Sequence, residues 1–218
     1  MTSTELFCAL YDDIKLANVT WWPNYGSFEV VVSAVLTQQT KWENVEKSLL
    51  NLAKFNTLSL EEIAKIDVES LANLIKPSGF YNNKAKRLNA LCKAVVSEFG
   101  DFESFKEYVS REWLISQKGI GAETCDAILC YACEREEMVV DSYALRILGY
   151  FGYEFESYDE AKEWLSELDF SVVYAMVLDM SEARVCALYH GLIVEFCKKH
   201  LKGKEFSDKA KDIFKEIS

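Results

Sequence analysis

The sequence predicts an all-α fold, and three observations support this prediction. Only two prolines and nine glycines occur among the 218 residues, so few positions interrupt a helix. Apolar residues recur at helical spacing, as in Ile128, Leu129 and Ala132. The main extended signal, residues 138–140, is too short to build a sheet. Half of the residues are hydrophobic, so we expect a sizeable helical core in one domain or two small ones.

The first informative element is the aromatic run Trp21-Trp22-Pro23-Asn24. Two indoles and a proline in a row are unusual in a buried helix and could form a wall for a flat ligand. An apolar helix is predicted over residues 28–36, and it leads into Thr37-Gln38-Gln39-Thr40-Lys41-Trp42. Tryptophan is largely buried on average, so Trp21, Trp22 and Trp42 could equally be core or lid residues.

The next element begins with Pro77-Ser78-Gly79, which is typical of a turn. Lys84, Lys86 and Arg87 follow at the head of a predicted helix. Tyr81 and Asn82 could hydrogen-bond phosphates, and the lysines would supply salt-dependent affinity for a polyanion. The alternative is a solvated helix start whose cations serve solubility.

A glycine turn then separates two predicted helices, residues 112–117 and 122–134. Gly119 and Gly121 tolerate backbone conformations that other residues avoid. A turn that ends at a helix N-terminus points N–H groups outward, where they can hold a phosphate. The alternative is a tight helix connection without a ligand, because short glycine motifs have many false positives.

Asp141 is the candidate catalytic residue, at the end of the apolar run 138–140. It directly precedes a predicted helix, Ser142–Tyr150. An aspartate in this place is most often an N-cap. Capping and catalysis are compatible, because a helix N-terminus holds a carboxylate ionised and aimed.

Taken together, these segments resemble the bacterial 3-methyladenine DNA glycosylase branch of the endonuclease III (helix-hairpin-helix) superfamily. The resemblance extends from about residue 21 to residue 196. It rests on the motifs at residues 21–24, 34–42, 77–88 and 118–123. It implies a two-lobed all-α fold, with a six-helix lobe over residues 25–135 and a second lobe formed by residues 1–24 and 136–218. Flipped bases would bind in the cleft between the lobes.

The resemblance also implies roles for individual residues. Asp141 would stabilise positive charge on the deoxyribose and orient or deprotonate the attacking water. Trp42 would stack on the flipped base, which Trp21, Trp22 and Pro23 would enclose. Gln38 would fill the gap left in the duplex, and Phe80 would act as the apolar wedge. The expected DNA contacts are completed by Tyr81, Asn82, Lys84, Lys118, Gly119 and Gly121.

The residue at position 123 distinguishes two chemistries within this superfamily. Members that also cut the DNA backbone carry a lysine there, whereas this chain has Glu123. Without an amine no Schiff base forms at this position. We therefore expect base removal without strand cleavage, from double-stranded DNA that contains alkylated bases.

The overall charge is unusual for a DNA-binding protein. Thirty-five acidic residues against 24 basic ones give a net charge of −11, whereas such domains usually carry a basic surface. We expect weak, salt-sensitive binding that depends on the inserted side chains. The start of the chain has no signal-peptide pattern and no run is long enough to span a membrane, so a cytoplasmic protein is expected. We also expect a monomer.

The seven cysteines are expected to be reduced and mostly buried. Endonuclease III carries a C-terminal four-cysteine iron–sulfur loop, but this chain has no cysteine beyond Cys197. Neither a cluster nor another cofactor is expected. Cys125, Cys130 and Cys133 lie close together in sequence, but a structural zinc site requires four ligands. His190 is expected to pack or hydrogen-bond between the lobes rather than to act in catalysis.

Three alternatives remain open from the sequence. A bifunctional glycosylase for oxidised pyrimidines would form covalent adducts through some other lysine. A catalytically silent hairpin module would bind DNA, with Asp141 as a cap only. A helical interaction protein unrelated to DNA would fit the acidic charge best, but it leaves the aromatic and glutamine clusters unexplained.

Overall fold

The computed structural model describes residues 1–16 and 21–218 and is almost entirely helical over these ranges. The α-helices are, in order, α1 Ser3–Ile14, α2 Phe28–Thr37, α3 Trp42–Lys54, α4 Leu60–Lys65, α5 Val68–Leu74, α6 Tyr81–Phe99, α7 Phe102–Tyr108, α8 Arg111–Ser116, α9 Ala122–Ala127, α10 Ser142–Tyr150, α11 Tyr158–Ser166, α12 Phe170–Met176, α13 Glu182–His200 and α14 Asp208–Glu216. A 3₁₀ turn spans Lys76–Ser78, and a π-helical turn spans Ile128–Ala132. The described β-structure is one antiparallel pair, β1 Leu201–Lys202 with β2 Glu205–Phe206.

The chain divides into two compact units. One contains residues 24–134, and the other combines residues 1–23 with residues 135–218. The unit formed by residues 24–134 holds the eight helices α2–α9, whereas six were expected. The difference arises because α4, α5, α7 and α8 are separate helices of only six or seven residues.

Helix α2 lies at the centre of the unit formed by residues 24–134. Seven of its ten residues are buried, Val30 to Leu36 without interruption. A helix that is apolar on all sides must be surrounded by other elements. It packs against α3, α6, α9 and the π-helical turn. The loop that follows α2 is therefore attached to a rigid element.

Helix α13 is the central helix of the unit formed by the two ends of the chain. Its buried face includes Val185 to Val194 without interruption, and α1 and α10 pack against it. Ser3 and Tyr189 connect α1 to α13, since the Tyr189 hydroxyl donates to the Ser3 carbonyl at 3.0 Å. These contacts fix the position of α13, and so of residues 190–198, relative to α1 and α10.

The predicted helices at residues 28–36 and 142–150 are confirmed as α2 and α10, and residues 138–140 form no strand. The second hairpin helix differs from the prediction. It changes from α to π geometry at Ile128 and ends at Ala132. Among the described residues, no helix is both long and apolar enough to cross a membrane.

Candidate DNA-binding and catalytic site

The glycine turn forms a hairpin between α8 and α9. Gly119 has φ +88°, the left-handed region that favours glycine. A Cβ atom added at Gly119 would lie 2.3 Å from Cδ of Arg87, so a larger residue would also force the Arg87 side chain to move. Gly121 is the N-cap of α9, with φ −92° and no atom within 4 Å of an added Cβ. The space outside Gly121 is open to a ligand.

A buried ion pair connects the two helices of the hairpin. Arg111, the first residue of α8, donates from Nε to Oδ1 of Asp126 at 2.8 Å and from Nη2 to Oδ2 at 3.3 Å. The Asp126 side chain is fully buried. Such two-point guanidinium–carboxylate pairs fix orientation as well as distance. The pair therefore fixes the orientation of α8 relative to α9, and with it the conformation of the glycine turn between them.

Gln38 contacts the hairpin directly. Its Nε2 atom donates to the Gly119 carbonyl and to the Thr124 hydroxyl, both at 3.0 Å. Nη1 of Arg87 lies 3.4 Å from Oε1 of Gln38. The side chain predicted to enter the DNA gap is thus in hydrogen-bond contact with the element predicted to hold a phosphate.

The predicted wedge lies on a strained turn. Gly79 has φ +65°, and Phe80 has φ +45° although it is not glycine. The Phe80 side chain is 67% exposed, whereas large aromatic side chains are usually mostly buried. Tyr81 is partly exposed and Asn82 exposed at the start of α6. The exposed Phe80 is available for insertion.

Lys84 differs from the prediction. It was expected to contact DNA, but it is only 2% exposed. Its ammonium donates to the Leu36 carbonyl at 2.7 Å, the Thr40 hydroxyl at 2.6 Å and the Ser78 carbonyl at 2.8 Å. Burial lowers the pKa of Lys84 to about 8. The amine faces protein oxygens, and a direct phosphate contact is excluded in this conformation.

Trp42 and Lys118 are both accessible to solvent. Trp42 is the first residue of α3 and is partly exposed. Lys118 is exposed, directly before Gly119. Glu123 is exposed in the first turn of α9, where a negative charge is favourable to the helix dipole.

The Asp141 carboxylate is the N-cap of α10, as its position before the helix predicted. Its Oδ1 atom accepts from the backbone N–H of Tyr143 at 2.9 Å and of Ala144 at 2.8 Å. The other oxygen, Oδ2, lies 3.8 Å from Nε2 of His190 in α13. The side chain is 15% exposed. One oxygen thus anchors the group to the start of α10, and the other faces His190.

His190 was expected to pack or hydrogen-bond between the lobes. Its neighbours Asp141 and Trp21 belong to the same unit as His190 itself, residues 1–23 with 135–218. The Trp21 ring meets the imidazole edge-to-face, with centroids 5.5 Å apart. His190 therefore links a predicted pocket residue to the predicted catalytic carboxylate.

The orientation of Trp21 is set by α13. Its Nε1 atom donates to Oε1 of Glu195 at 2.9 Å, and the Lys198 ammonium lies 5.2 Å from the ring centroid. Burial alone would raise the pKa of Glu195, but hydrogen bonds from Lys198 and Trp21 lower it. A Cβ atom at Gly191 would lie 2.6 Å from Cβ of Trp21, so the indole occupies space that only glycine leaves. Trp22 is 6% exposed and Pro23 is exposed.

Several of these residues were missed from the sequence. Glu195 and Gly191 are about 170 positions from Trp21, and no local pattern pairs them. Arg111 and Asp126 are separated by 15 residues, and only their opposite charges on the two hairpin helices could have suggested the ion pair.

The cysteines are free thiols, and all except the partly exposed Cys8 are buried, as predicted. Burial raises the pKa of the Cys186 thiol, with nearby Glu136 and Glu137 adding to the effect, to about 12. Over residues 1–16 and 21–218, no three His, Cys, Asp or Glu side chains lie close enough to hold one metal ion.

Sequence comparisons assign this arrangement to a known family. Residues 32–169 match the model of the HhH-GPD superfamily of base excision DNA repair proteins. A protein of Methanocaldococcus jannaschii, named provisionally as a DNA repair glycosylase, is 39% identical over 195 residues, covering 86% of this chain and 84% of the relative. Endonuclease III of Thermotoga maritima is 31% identical over 142 residues, covering 65% of this chain and 64% of that enzyme.

Solved structures agree with this assignment. The H. pylori 3-methyladenine DNA glycosylase bound to 1,N6-ethenoadenine is 43% identical, with a TM-score of 0.86 over 93% of this chain and all of that one. The endonuclease III chain of a trapped covalent intermediate with DNA is 18% identical and superposes with a TM-score of 0.72. The match covers 94% of this chain and 90% of that one, so the two proteins share a fold. The partner of the present protein is DNA, and the chain belongs to the HhH-GPD superfamily as a DNA glycosylase of base excision repair.

Proposed function

We propose that this glycosylase excises 3-methyladenine from double-stranded DNA by flipping the base and hydrolysing its N-glycosidic bond. The observation that carries the proposal is the Asp141 carboxylate, with Oδ1 held by two backbone N–H groups and Oδ2 directed away from the cap. The 43% identity to the H. pylori 3-methyladenine enzyme supports the choice of substrate.

The proposed chemistry needs one carboxylate. A 3-methylated adenine already carries positive charge, so when the bond between its N9 atom and the sugar C1′ breaks, the electron pair returns to the base and a neutral base leaves. Asp141 stabilises the positive charge that develops on the sugar. A water then attacks C1′ and gives its proton to Asp141 as the general base. The products are the free base and an intact strand with an abasic site.

Base recognition would rest on aromatic faces. Trp42, partly exposed at the start of α3, is the proposed stacking partner, because an electron-rich indole attracts a cationic purine. Trp21, Trp22 and Pro23 are proposed as apolar contacts to the base. The hydrogen bond from Trp21 to Glu195 fixes the orientation of that indole before any substrate binds.

The proposed DNA contacts combine positioning and insertion. Gly119 and Gly121 present backbone N–H groups at the start of α9, and Lys118 adds a positive charge. Gln38 and Phe80 enter the space left by the flipped nucleotide. Tyr81 and Asn82 contact the backbone. The affinity would fall as salt rises, because cationic contacts release counterions from the phosphates, and the net charge of −11 would keep the binding weak.

The test is release of bases from methylated duplex DNA, identified by chromatography, with the wild type beside Asp141→Asn. Release of 3-methyladenine by the wild type alone supports both the substrate and the role of the carboxylate. Release by both proteins keeps the substrate but removes Asp141 from the mechanism. No release by either, with DNA still bound, refutes the proposed substrate.

We also propose that the enzyme does not cleave the abasic strand, because Glu123 provides no amine for a Schiff base. Borohydride reduction in the presence of abasic duplex should leave the wild type uncoupled to DNA. A trapped wild-type adduct would instead identify a bifunctional enzyme that uses another lysine. We further propose that the protein acts as a monomer in the cytoplasm and without a metal or cluster.

A further inference from the structure

The buried ammonium of Lys84 joins the end of α2 and the loop after it to the 3₁₀ turn before the wedge. Leu36 is in the last turn of α2, Thr40 is in the loop between α2 and α3, and Ser78 ends the 3₁₀ turn. Each of these residues supplies one oxygen at 2.6–2.8 Å from Nζ. Leu36 and Thr40 are close in sequence, whereas Ser78 follows Thr40 by 38 positions, and Lys84 brings all three to one point.

The chemistry of the site favours a cation. A protonated lysine has three N–H donors and no acceptor, which matches three oxygens without formal charge. The Leu36 carbonyl belongs to the C-terminal turn of a helix, where carbonyls are unsatisfied and a positive charge is favourable. Burial opposes the charge and lowers the pKa of Lys84 to about 8, so the cation still predominates at neutral pH.

Two of the ammonium contacts lie close in sequence to the residues that we propose to enter the duplex. The Ser78 carbonyl is two residues before Phe80, and the Leu36 carbonyl is two residues before Gln38. The Thr40 hydroxyl, which accepts from the ammonium, also lies 3.1 Å from the Gln38 carbonyl and 2.5 Å from the Ser78 carbonyl. The ammonium therefore holds the backbone beside both Phe80 and Gln38.

We propose that Lys84 is a positioning residue that holds the Gln38 loop and the Phe80 turn at a fixed separation, so that both side chains enter the duplex together at the damaged position. This inference rests on the proposed roles of Gln38 and Phe80. Insertion of two groups is favourable only when both are aligned in advance, because ordering them on the DNA costs binding free energy. The burial that prevents Lys84 from contacting DNA is what allows it to act as a spacer.

The experiment measures how strongly the protein prefers damaged DNA. The dissociation constant is determined by fluorescence anisotropy for a duplex with a tetrahydrofuran abasic analogue and for the same duplex undamaged, at one salt concentration. The ratio of the two dissociation constants reports insertion into the gap, because non-specific binding to phosphates contributes equally to both and cancels. Lys84→Met removes the ammonium at similar length. Lys93→Met is the matched control, because Lys93 is an exposed lysine of the same helix.

In Lys84→Met we expect the preference for the abasic duplex to fall by about tenfold, with affinity for undamaged duplex close to that of Lys93→Met. Phe80→Ala should reduce the preference to a similar extent. Thr40→Val, which removes one acceptor and little volume, should show a smaller loss in the same direction. If Lys84→Met does not fold, the binding ratio of Thr40→Val tests the proposal in its place.

The inference is overturned if folded Lys84→Met keeps the wild-type ratio, or if its affinity falls equally for both duplexes. A wild type that binds both duplexes equally also overturns it, because no insertion would then be positioned. Binding to the abasic analogue requires no excision. A wild type that releases no 3-methyladenine therefore refutes the proposed substrate and leaves this measurement valid.

Discussion

The guanidinium of Arg111 binds the fully buried carboxylate of Asp126 across the α8–α9 hairpin, with Nε 2.8 Å from Oδ1. Asp126→Asn replaces the carboxylate by a neutral amide and leaves the Arg111 guanidinium, which is 25% exposed, without this charged acceptor. The variant should therefore lower the free energy of unfolding by about 1.5–3 kcal/mol, the usual cost of losing hydrogen bonds between charged groups. Urea unfolding followed by circular dichroism measures this loss. The exposed pair Lys215–Asp212 provides the control, since Asp212→Asn should cost less than about 1 kcal/mol. Equal losses in the two variants would contradict the structural role of the buried pair.

The two hairpin glycines should respond differently to alanine. Gly119→Ala places a Cβ 2.3 Å from Arg87 at φ +88°, so it should cost about 1–3 kcal/mol of stability as well as DNA affinity. Gly121→Ala meets no atom and keeps an ordinary φ, so stability should change by less than about 1 kcal/mol. Any loss of DNA affinity in Gly121→Ala then reports direct crowding of the phosphate. Thermal unfolding and anisotropy on the same preparations separate the two effects.

Asparagine and alanine at position 141 should separate capping from chemistry. Asparagine caps a helix about as well as aspartate, whereas alanine costs about 1 kcal/mol. Both substitutions remove the charge and should lower the single-turnover excision rate by at least about 100-fold. Stability should thus fall only in Asp141→Ala, and activity in both variants. An Asp141→Asn enzyme of normal activity would limit Asp141 to its role as a cap.

Asp13 should make the protein sensitive to acid. Burial alone would raise the pKa of Asp13, but hydrogen bonds from Lys199, Lys209 and His200 hold it well below its ordinary range. The unfolded chain has an aspartate pKa of about 3.9. The unfolded state therefore binds the proton more readily, and the stabilisation by Asp13 is present above about pH 4 and lost as the pH falls further.

The variant Asp13→Asn lacks this titration. Its free energy of unfolding should be lower than that of the wild type at pH 7, and the difference should shrink as the pH falls below about 4. Urea unfolding at several pH values measures the difference. A constant gap between the two proteins would show that the carboxylate charge is not what stabilises this contact.

Local patterns in the sequence predicted what depends on local structure. The aspartate before an apolar helix marked the start of α10 and the cap at Asp141, because capping involves only neighbouring backbone groups. The π-helical turn at Ile128–Ala132 escaped prediction, because its apolar spacing also fits an α-helix. Its geometry is visible in the Cys133 N–H, which donates to the Ile128 carbonyl five residues earlier at 3.0 Å.

Residues whose roles depend on distant partners could not be predicted. Lys84 stands at the head of a helix, where lysines are normally exposed. Its burial follows only from the convergence of Leu36, Thr40 and Ser78. The same holds for Gly191, whose missing side chain matters only because Trp21 occupies that space.

Phe80 combines two properties that selection for folding alone would remove. Its φ of +45° strains a residue with a Cβ, and its ring is 67% exposed. Glycine or asparagine adopts this backbone more readily and exposes less apolar surface. A library of variants sorted for folded protein should therefore accumulate replacements at position 80, while a library sorted for survival under alkylation should keep the phenylalanine. Opposite preferences at one position would separate what the fold requires from what repair requires.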